Sequence, residues 1–513
     1  MRYAEFLRQR YRAILGYTGL LCLIASLLIL SPLLLLPFYR QELGIAWGFL
    51  LPGLLLGLFG LVLWRRLTPR PATSLTMPEG AVIVVLTWLL TTLAGAIPFL
   101  FSGMNLTHAL FESTSGWTTA GLSVLDVSQA SPLLLFFRSV TQLAGGAGLA
   151  ILMLSTLTGP LGPGVAAVEG RQEQLLPHVR RSARLVLAMY TAYNVVGILA
   201  LRLAGMSWFD AVNHAFCALS TGGFSTRAQS IAYWQSPAVE TVVILLMLLG
   251  MLNFLTAYTL LRAKFKAVAR NSEVRQSAVL IILGAAVLSI GVTGGLYATS
   301  GEGLRAAVFN AVSALSTTGF ATVDLRQWNG LGWLVIILFM LIGGGAGSTA
   351  GGIKQYRIYV LLRGLIWEFR RNLLPRRVVT EPDLWQGEQR VFISDRQLRQ
   401  VSMFVFLYVA VFVLGSGIVA AHGYPLQDSL FEFASALSTV GVSVGITTAD
   451  APAGVLWVEM LAMFLGRLEF FTIVIGVIKL IGDGPQLLSA GRKIFANSLV
   501  GEGDEGSQAA RPE

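Results

Sequence analysis

Apolar residues run along this chain in long blocks separated by short polar segments, not in the alternation of a half-buried strand or a surface helix. Blocks such as 17–38 and 238–261 carry no charge, or one near an end. Each exceeds the roughly 20 apolar residues that a helix needs to cross a hydrocarbon core. The blocks predict ten membrane-spanning helices, at 14–38, 44–66, 79–102, 132–158, 182–204, 237–261, 277–299, 331–362, 399–421 and 453–481. The first follows Arg2, Arg8, Arg10 and Arg12 but is too long for a cleavable leader, so it reads as a retained span. An even number of spans places both termini on one side.

Four of the segments between spans are not ordinary loops. Each holds an apolar stretch too short to cross, followed by small and hydroxyl residues. They read Phe111-Glu-Ser-Thr-Ser-Gly-Trp-Thr-Thr-Ala-Gly-Leu, Asn213-His-Ala-Phe-Cys-Ala-Leu-Ser-Thr-Gly-Gly-Phe, Phe309-Asn-Ala-Val-Ser-Ala-Leu-Ser-Thr-Thr-Gly-Phe and Phe431-Glu-Phe-Ala-Ser-Ala-Leu-Ser-Thr-Val-Gly-Val. A single Thr-x-Gly is worth no more than a helix C-cap with glycine at C′. Four copies, each between two full spans, describe an internal repeat.

The expected fold is therefore an all-α integral membrane protein. Two N-terminal transmembrane helices precede four parallel M1–pore helix–M2 repeats (first span, short helix, second span) around a central ion pathway. The divisions are 1–72 for the two-span region, repeats at 73–165, 166–267, 268–380 and 381–485, and a cytoplasmic tail at 486–513.

Re-entrant backbone at membrane depth is tolerated only within protein or beside a water-filled cavity. Four re-entrant loops converging on one axis can replace a cation's hydration shell with carbonyl oxygens. Glycine permits positive φ and close backbone approach there. Neighbouring hydroxyls add ligands, and each short helix turns its negative C-terminal end toward the ion. The candidate filter residues are Thr118, Thr119, Ala120 and Gly121; Ser220, Thr221, Gly222 and Gly223; Ser316, Thr317, Thr318 and Gly319; and Ser438, Thr439, Val440 and Gly441. A cation bound by these residues is the expected transported ion, the only metal expected, and no covalently held cofactor is implied.

Composition agrees: 55% of residues are hydrophobic and only 12% charged, against roughly a quarter charged in soluble domains. The formal net charge of +10 invites a nucleic-acid reading, but its placement does not. Arg65, Arg66, Arg180, Arg181, Arg262, Lys264, Arg370 and Arg371 all fall in loops on the side of the arginine-rich N-terminus, which the positive-inside rule makes cytoplasmic. The opposite loops carry Asp126, Asp210, Asp324, Asp428 and Asp450. Cys22 and Cys217 lie too far apart in context to suggest a disulfide framework.

With the four loops quoted, the chain resembles the Trk/Ktr/HKT superfamily of cation transporters, specifically the bacterial TrkH-type pore-forming subunit, over nearly its whole length. The resemblance implies potassium uptake across the bacterial cytoplasmic (inner) membrane. It also implies a homodimer and control by a cytosolic nucleotide-binding ring of the TrkA type. It makes Gly121, Gly223, Gly319 and Gly441 the selectivity positions. In plant relatives a serine at the first of these goes with sodium transport, so Gly121 favours potassium. The segment Gly343, Gly344, Gly345, Ala346, Gly347, Ser348, Thr349, Ala350, Gly351, Gly352 through Lys354 resembles the family's intramembrane gate loop. Gly466-Arg467-Leu-Glu469 resembles the stretch whose arginine points into the cavity below the filter. The first loop departs most, with Trp117 and Thr118 where the others have Leu-Ser.

The glycine run also fits a dinucleotide fingerprint, Gly345-Ala-Gly-Ser-Thr-Ala350, but an apolar span precedes it where a strand is required. Packing of small residues is the simpler alternative. If the span breaks there, its freed backbone groups should face a water-filled cavity. Arg467 and Glu469 could equally be a structural ion pair, with Glu469 as the anchor of Arg467. Lys354 could line the cavity or snorkel to the membrane surface. Arg138 and Gln142, one turn apart, are expected to hydrogen-bond the filter. His108, His178, His214 and His422 share no ligand spacing. An enzyme would need convergent acid, base and nucleophile groups, which the spans lack. A sodium or poorly selective conductor, or a coupled symporter, remains the alternative function. No Gly-x-x-x-x-Gly-Lys-Ser/Thr occurs, so any regulatory nucleotide must be bound by a partner.

Overall fold

A computed structural model describes residues 3–68, 75–147, 179–375, 381–386, 389–467 and 470–501. Helices occur at all ten expected positions. Two N-terminal helices, α1 (Tyr3–Leu30) and α2 (Leu43–Leu67), pack along each other. Their contact is close because Gly19 and Gly60 meet backbone to backbone, where an added Cβ would fall under 3.0 Å from the partner. Arg10 of α1 forms an ion pair with Glu79 at the start of the first repeat, tying this hairpin to it.

The first spans of the repeats are α3 (Met77–Phe101), α6 (Val179–Leu203), α11 (Ser272–Gly291) and α15 (Asp395–Ala421). After each comes a short re-entrant helix: α4 (Leu106–Trp117), α7 (Trp208–Leu219), α12 (Ser300–Leu315) and α16 (Leu426–Leu437). Three of these start on a side-chain N-cap, since Asn105, Ser207 and Thr299 accept from the backbone N–H three residues on. Asn105, which also satisfies a glycosylation sequon, thus has a local structural use.

The second spans differ from the straight helices expected. They are α5 (Pro132–Ala147), α8 (Pro237–Met251), α13 (Gly330–Ile342) and α17 (Ala453–Arg467). α8, α13 and α17 are thus only 13–15 residues long, short of the roughly 20 needed to cross; α5 is described as far as Ala147. In the second repeat α9 (Phe254–Leu261) continues at 120° to α8, and in the fourth α18 (Phe470–Gly501) continues at 103° to α17. The third breaks into a loop before α14 (Gln355–Leu373), and the continuation of the first lies outside the described residues.

Three of them share one close contact. Gly145, Gly250 and Gly466 receive the C-terminal carbonyl of their own re-entrant helix, at Trp117, Leu219 and Leu437, where any Cβ would fall under 3.0 Å from that oxygen. These three second spans thus each need a glycine where the end of their re-entrant helix docks. In the corresponding place the third repeat has Gly343, at φ 73°, which opens its loop.

One short helix, α10 (Phe265–Arg270), links α9 to α11. A two-stranded antiparallel hairpin, β1 (Asp383–Gln386) and β2 (Gln389–Phe392), is the one strand pair among the described residues and was not foreseen. It is pinned by Asp383, which accepts 2.7 Å bonds from Arg390 and Arg363. The Arg390 guanidinium, reinforced by Arg363, holds that carboxyl below its usual range. Cys22 and Cys217 are buried and unpaired.

Candidate ion pathway

Each re-entrant helix ends in the same way. Thr118, Ser220, Ser316 and Ser438 close the helix, and the next residue turns left-handed: Thr119 at φ 56°, Thr221 at 52°, Thr317 at 55° and Thr439 at 53°. The N–H groups of these threonines bond the carbonyls of Gly116, Ala218, Ala314 and Ala436. Those of Ala120, Gly222, Thr318 and Val440 reach back to Ser115, Cys217, Ser313 and Ser435. This is the Schellman pattern of a helix end. The motif is therefore a helix cap after all, but with threonine at the position that normally takes glycine.

A β-branched residue at positive φ is a true outlier, and it costs of order 1–3 kcal/mol. Four such outliers fall at equivalent positions of the four repeats. The hydroxyls of Thr119 and Thr439 are buried and have no hydrogen-bond partner among the described residues. They are the kind of oxygen that a desolvated cation would complete.

Two residues after each threonine stands the glycine, also at positive φ: Gly121 at 82°, Gly223 at 77°, Gly319 at 80° and Gly441 at 97°. Their neighbours close a ring. A Cβ on Gly121 would strike the carbonyl of Gly222, on Gly223 that of Thr318, on Gly319 that of Val440, and on Gly441 that of Ala120, each under 3.0 Å. Every loop thus lays one carbonyl against the glycine of the previous repeat, in the order one to four and back to one. All four glycines line a single vestibule of about 210 Å³, together with Ser123, Arg138, Arg227, Asp324 and Ser443.

A second set of equivalent residues, unnoticed in the sequence reading, braces the ring. Glu112, His214, Asn310 and Glu432 occupy the same turn of the four re-entrant helices. Glu112 accepts from Ser123 Oγ at 2.7 Å, His214 Nε2 bonds Ser225 Oγ at 2.9 Å, Asn310 donates to Thr322 Oγ1 at 3.1 Å, and Glu432 accepts from Ser443 Oγ at 2.6 Å. Each ties its helix to the segment that leaves the Thr-x-Gly loop. The signal was present in the quoted repeats as a polar residue nine positions before each glycine. Its varied chemistry, acid, imidazole and amide, hid it.

Arg138 meets the expectation of a brace: its guanidinium bonds Glu112 at 3.1 Å and Ser123 at 2.7 Å and lies 3.8 Å from the centre of the Phe224 ring. Both ends of this ion pair are buried, so losing one partner alone would cost about 3–5 kcal/mol. Gln142 bonds the second filter loop directly. Trp117 is buried, filling the space over Gly95 of α3.

The glycine loop at 343–354 lies directly against three of the Thr-x-Gly loops. Gly351 N–H donates to Thr317 Oγ1 at 2.7 Å, Thr221 Oγ1 lies 3.1 Å from Thr349 Oγ1, and a Cβ on Gly351 would strike Ser438 O. The expectation that its freed backbone groups face a watery cavity needs correction. Many are satisfied by protein, chiefly at the α8–α9 break. Gly345 N–H bonds Met251 O at 2.9 Å, Phe254 N–H bonds Gly347 O at 3.3 Å, and Asn253 Nδ2 donates to Ala346 O. Glu273 accepts from Ala346 N–H at 2.8 Å, and Thr349 Oγ1 donates to Gly250 O at 2.9 Å. Lys354 Nζ donates back to Ala350 O at 2.8 Å, inside the loop. Arg467 donates to the carbonyls of Gly145 and Gly146 at the end of α5, where a cation suits the helix dipole. Glu469, its expected anchor, lies outside the described residues.

Long apolar helices with short re-entrant helices between them define a multi-pass α-helical membrane protein, and its likeness to known proteins makes it a transporter rather than an enzyme. The chain belongs to the TrkH family of cation transport proteins, whose family model matches residues 50–290 and 295–485. It is 30% identical over 467 residues to an uncharacterized cation transporter of Methanocaldococcus jannaschii, covering 90% of this chain and 94% of that one. It is also 30% identical over 485 residues to the Trk system potassium uptake protein TrkH of Escherichia coli K12, covering 91% and 98%. The crystal structure of the potassium transporter TrkH from Vibrio parahaemolyticus superposes with a TM-score of 0.79 at 27% identity, over 91% of this chain and 98% of that one.

Proposed function

We propose that this chain takes up potassium through a gated, channel-like pore whose filter is the ring of Thr-x-Gly loops. The observation that carries the reading is the cyclic contact of the four carbonyls of Ala120, Gly222, Thr318 and Val440 with the four glycines. Carbonyl rings suit a large monovalent cation that gives up its water. The potassium-transporting relatives support the choice of ion. In this reading the loop at 343–354 is the gate, Arg467 is a positive barrier below the filter, and Lys354 belongs to the moving loop.

The same reading places the chain in the bacterial inner membrane with both termini cytoplasmic, as a homodimer. The basic loops at that face, including Arg262, Arg370 and Arg371, offer docking for a nucleotide-binding ring. The purified chain in liposomes should then pass potassium in clear preference to sodium. Equal fluxes would favour a non-selective conductor, and flux that requires a proton or sodium gradient would favour a symporter.

A further inference from the structure

One position breaks the fourfold pattern behind the filter. The glycines Gly145, Gly250, Gly343 and Gly466, at equivalent places of the second spans, are each preceded, three residues earlier, by a fully buried side chain: Gln142, Met247, Met340 and Met463. Three are methionines; the first repeat has glutamine. The residue before the selectivity glycine breaks the pattern too. It is Ala120, Thr318 or Val440 in three loops but Gly222 in the second.

The two exceptions meet each other. Gln142 Nε2 donates to Gly222 O at 2.5 Å, and Phe224 N–H donates to Gln142 Oε1 at 3.1 Å. The side-chain amide therefore spans Gly223 and grips the backbone on both sides of it. Any Cβ at position 222 would fall under 3.0 Å from that amide, so the glutamine fits only against a glycine. Elsewhere the arrangement is apolar. Val440 shares a buried cluster with Met340, Ala120 with Met463, and Phe320 of the third loop with Met247. Among the described residues, no side chain donates to the carbonyls of Ala120, Thr318 or Val440.

The physical consequence concerns stiffness. Two successive glycines, 222 and 223, give the second loop more backbone freedom than its three counterparts. A flip of the peptide between them would carry a ring carbonyl off the axis. The glutamine clamp supplies by hydrogen bonding the restraint that side-chain packing supplies in the other loops. We propose that Gln142 and Gly222 are a matched pair in which Gln142 is a positioning residue for the second filter loop and thereby sets the preference for potassium over sodium. This rests on the filter reading above.

The test is a double-mutant cycle on potassium and sodium fluxes through the purified full-length chain in liposomes. Gln142→Met removes both bonds and leaves the glycine pair unheld; two hydrogen bonds of ordinary strength should lower the flux ratio by about tenfold. Gly222→Ala alone collides with the glutamine and should lower the ratio similarly. The double variant recreates the alanine–methionine pairing of position 120 with position 463 and should recover most of the loss. If Gln142→Met yields too little protein, Gln142→Glu replaces it. That change keeps the shape and the acceptor for Phe224 N–H but removes the donor to Gly222 O, and should also lower the ratio.

An unchanged flux ratio in a folded single variant overturns the proposal, as do losses that simply add in the double variant. A fall in total flux or yield with the ratio intact assigns Gln142 a structural role only, which also overturns it. Gly441→Ser, run alongside, separates the two readings. If it lowers the ratio while the Gln142 variants do not, only the pairing fails. If it too leaves the ratio unchanged, the filter reading itself fails.

Discussion

Gly319→Ser is expected to lower the potassium-over-sodium flux ratio by at least about tenfold while leaving the protein folded. Gly319 sits at φ 80°, and a Cβ there would strike Val440 O in the next loop. Left-handed backbone costs an L-residue roughly 1–2 kcal/mol, and overpacking costs typically about 1–3 kcal/mol more. In the proposed filter the strain falls on the carbonyl ring that would discriminate between ions, where about 1.4 kcal/mol is a factor of ten. Serine also brings a hydroxyl that can replace part of sodium's tighter hydration shell. Parallel potassium and sodium flux assays on the folded variant check this, and an unchanged ratio would remove Gly319 from the filter.

Deleting 346–350 should raise potassium flux and free it from any partner or nucleotide, with selectivity kept. The deletion removes the bonds that Ala346, Gly347 and Thr349 make to Asn253, Phe254, Gly250 and Glu273. Each is worth about 1 kcal/mol, so together they approach the roughly 5.5 kcal/mol that swings a two-state equilibrium from 1:99 to 99:1. It also removes Thr349, which sits 3.1 Å from the filter threonine Thr221. A deletion variant that folds yet stays closed would move the gate elsewhere, with Arg467 the next candidate.

The repeat and its four glycines were legible because each is a local pattern written four times between apolar blocks. The left-handed threonines were not, because threonine normally avoids positive φ, and nothing in the bare string Thr-x-Gly says which residue takes the strained position. The bends of the second spans were hidden for a different reason. Asn253 interrupts the apolar run from Val239 to Leu261 after Glu240, and its use as the N-cap of α9 at a 120° bend appears only in the structure. The loop at 343–354 was visible from its glycines, but its partners were not. Asn253 and Glu273 lie some 70 or more residues away in sequence and carry no motif. Gln142 was marked as a polar residue in an apolar helix, yet its pairing with Gly222 appears only once the loops close into a ring.

Crystals of this chain grown in rubidium, a heavier stand-in for potassium, would test the central claim most directly through anomalous scattering. The account predicts an anomalous peak on the axis enclosed by the carbonyls of Ala120, Gly222, Thr318 and Val440, between the four glycines and the four left-handed threonines. A peak bound elsewhere in the chain, with none inside that ring, would contradict it.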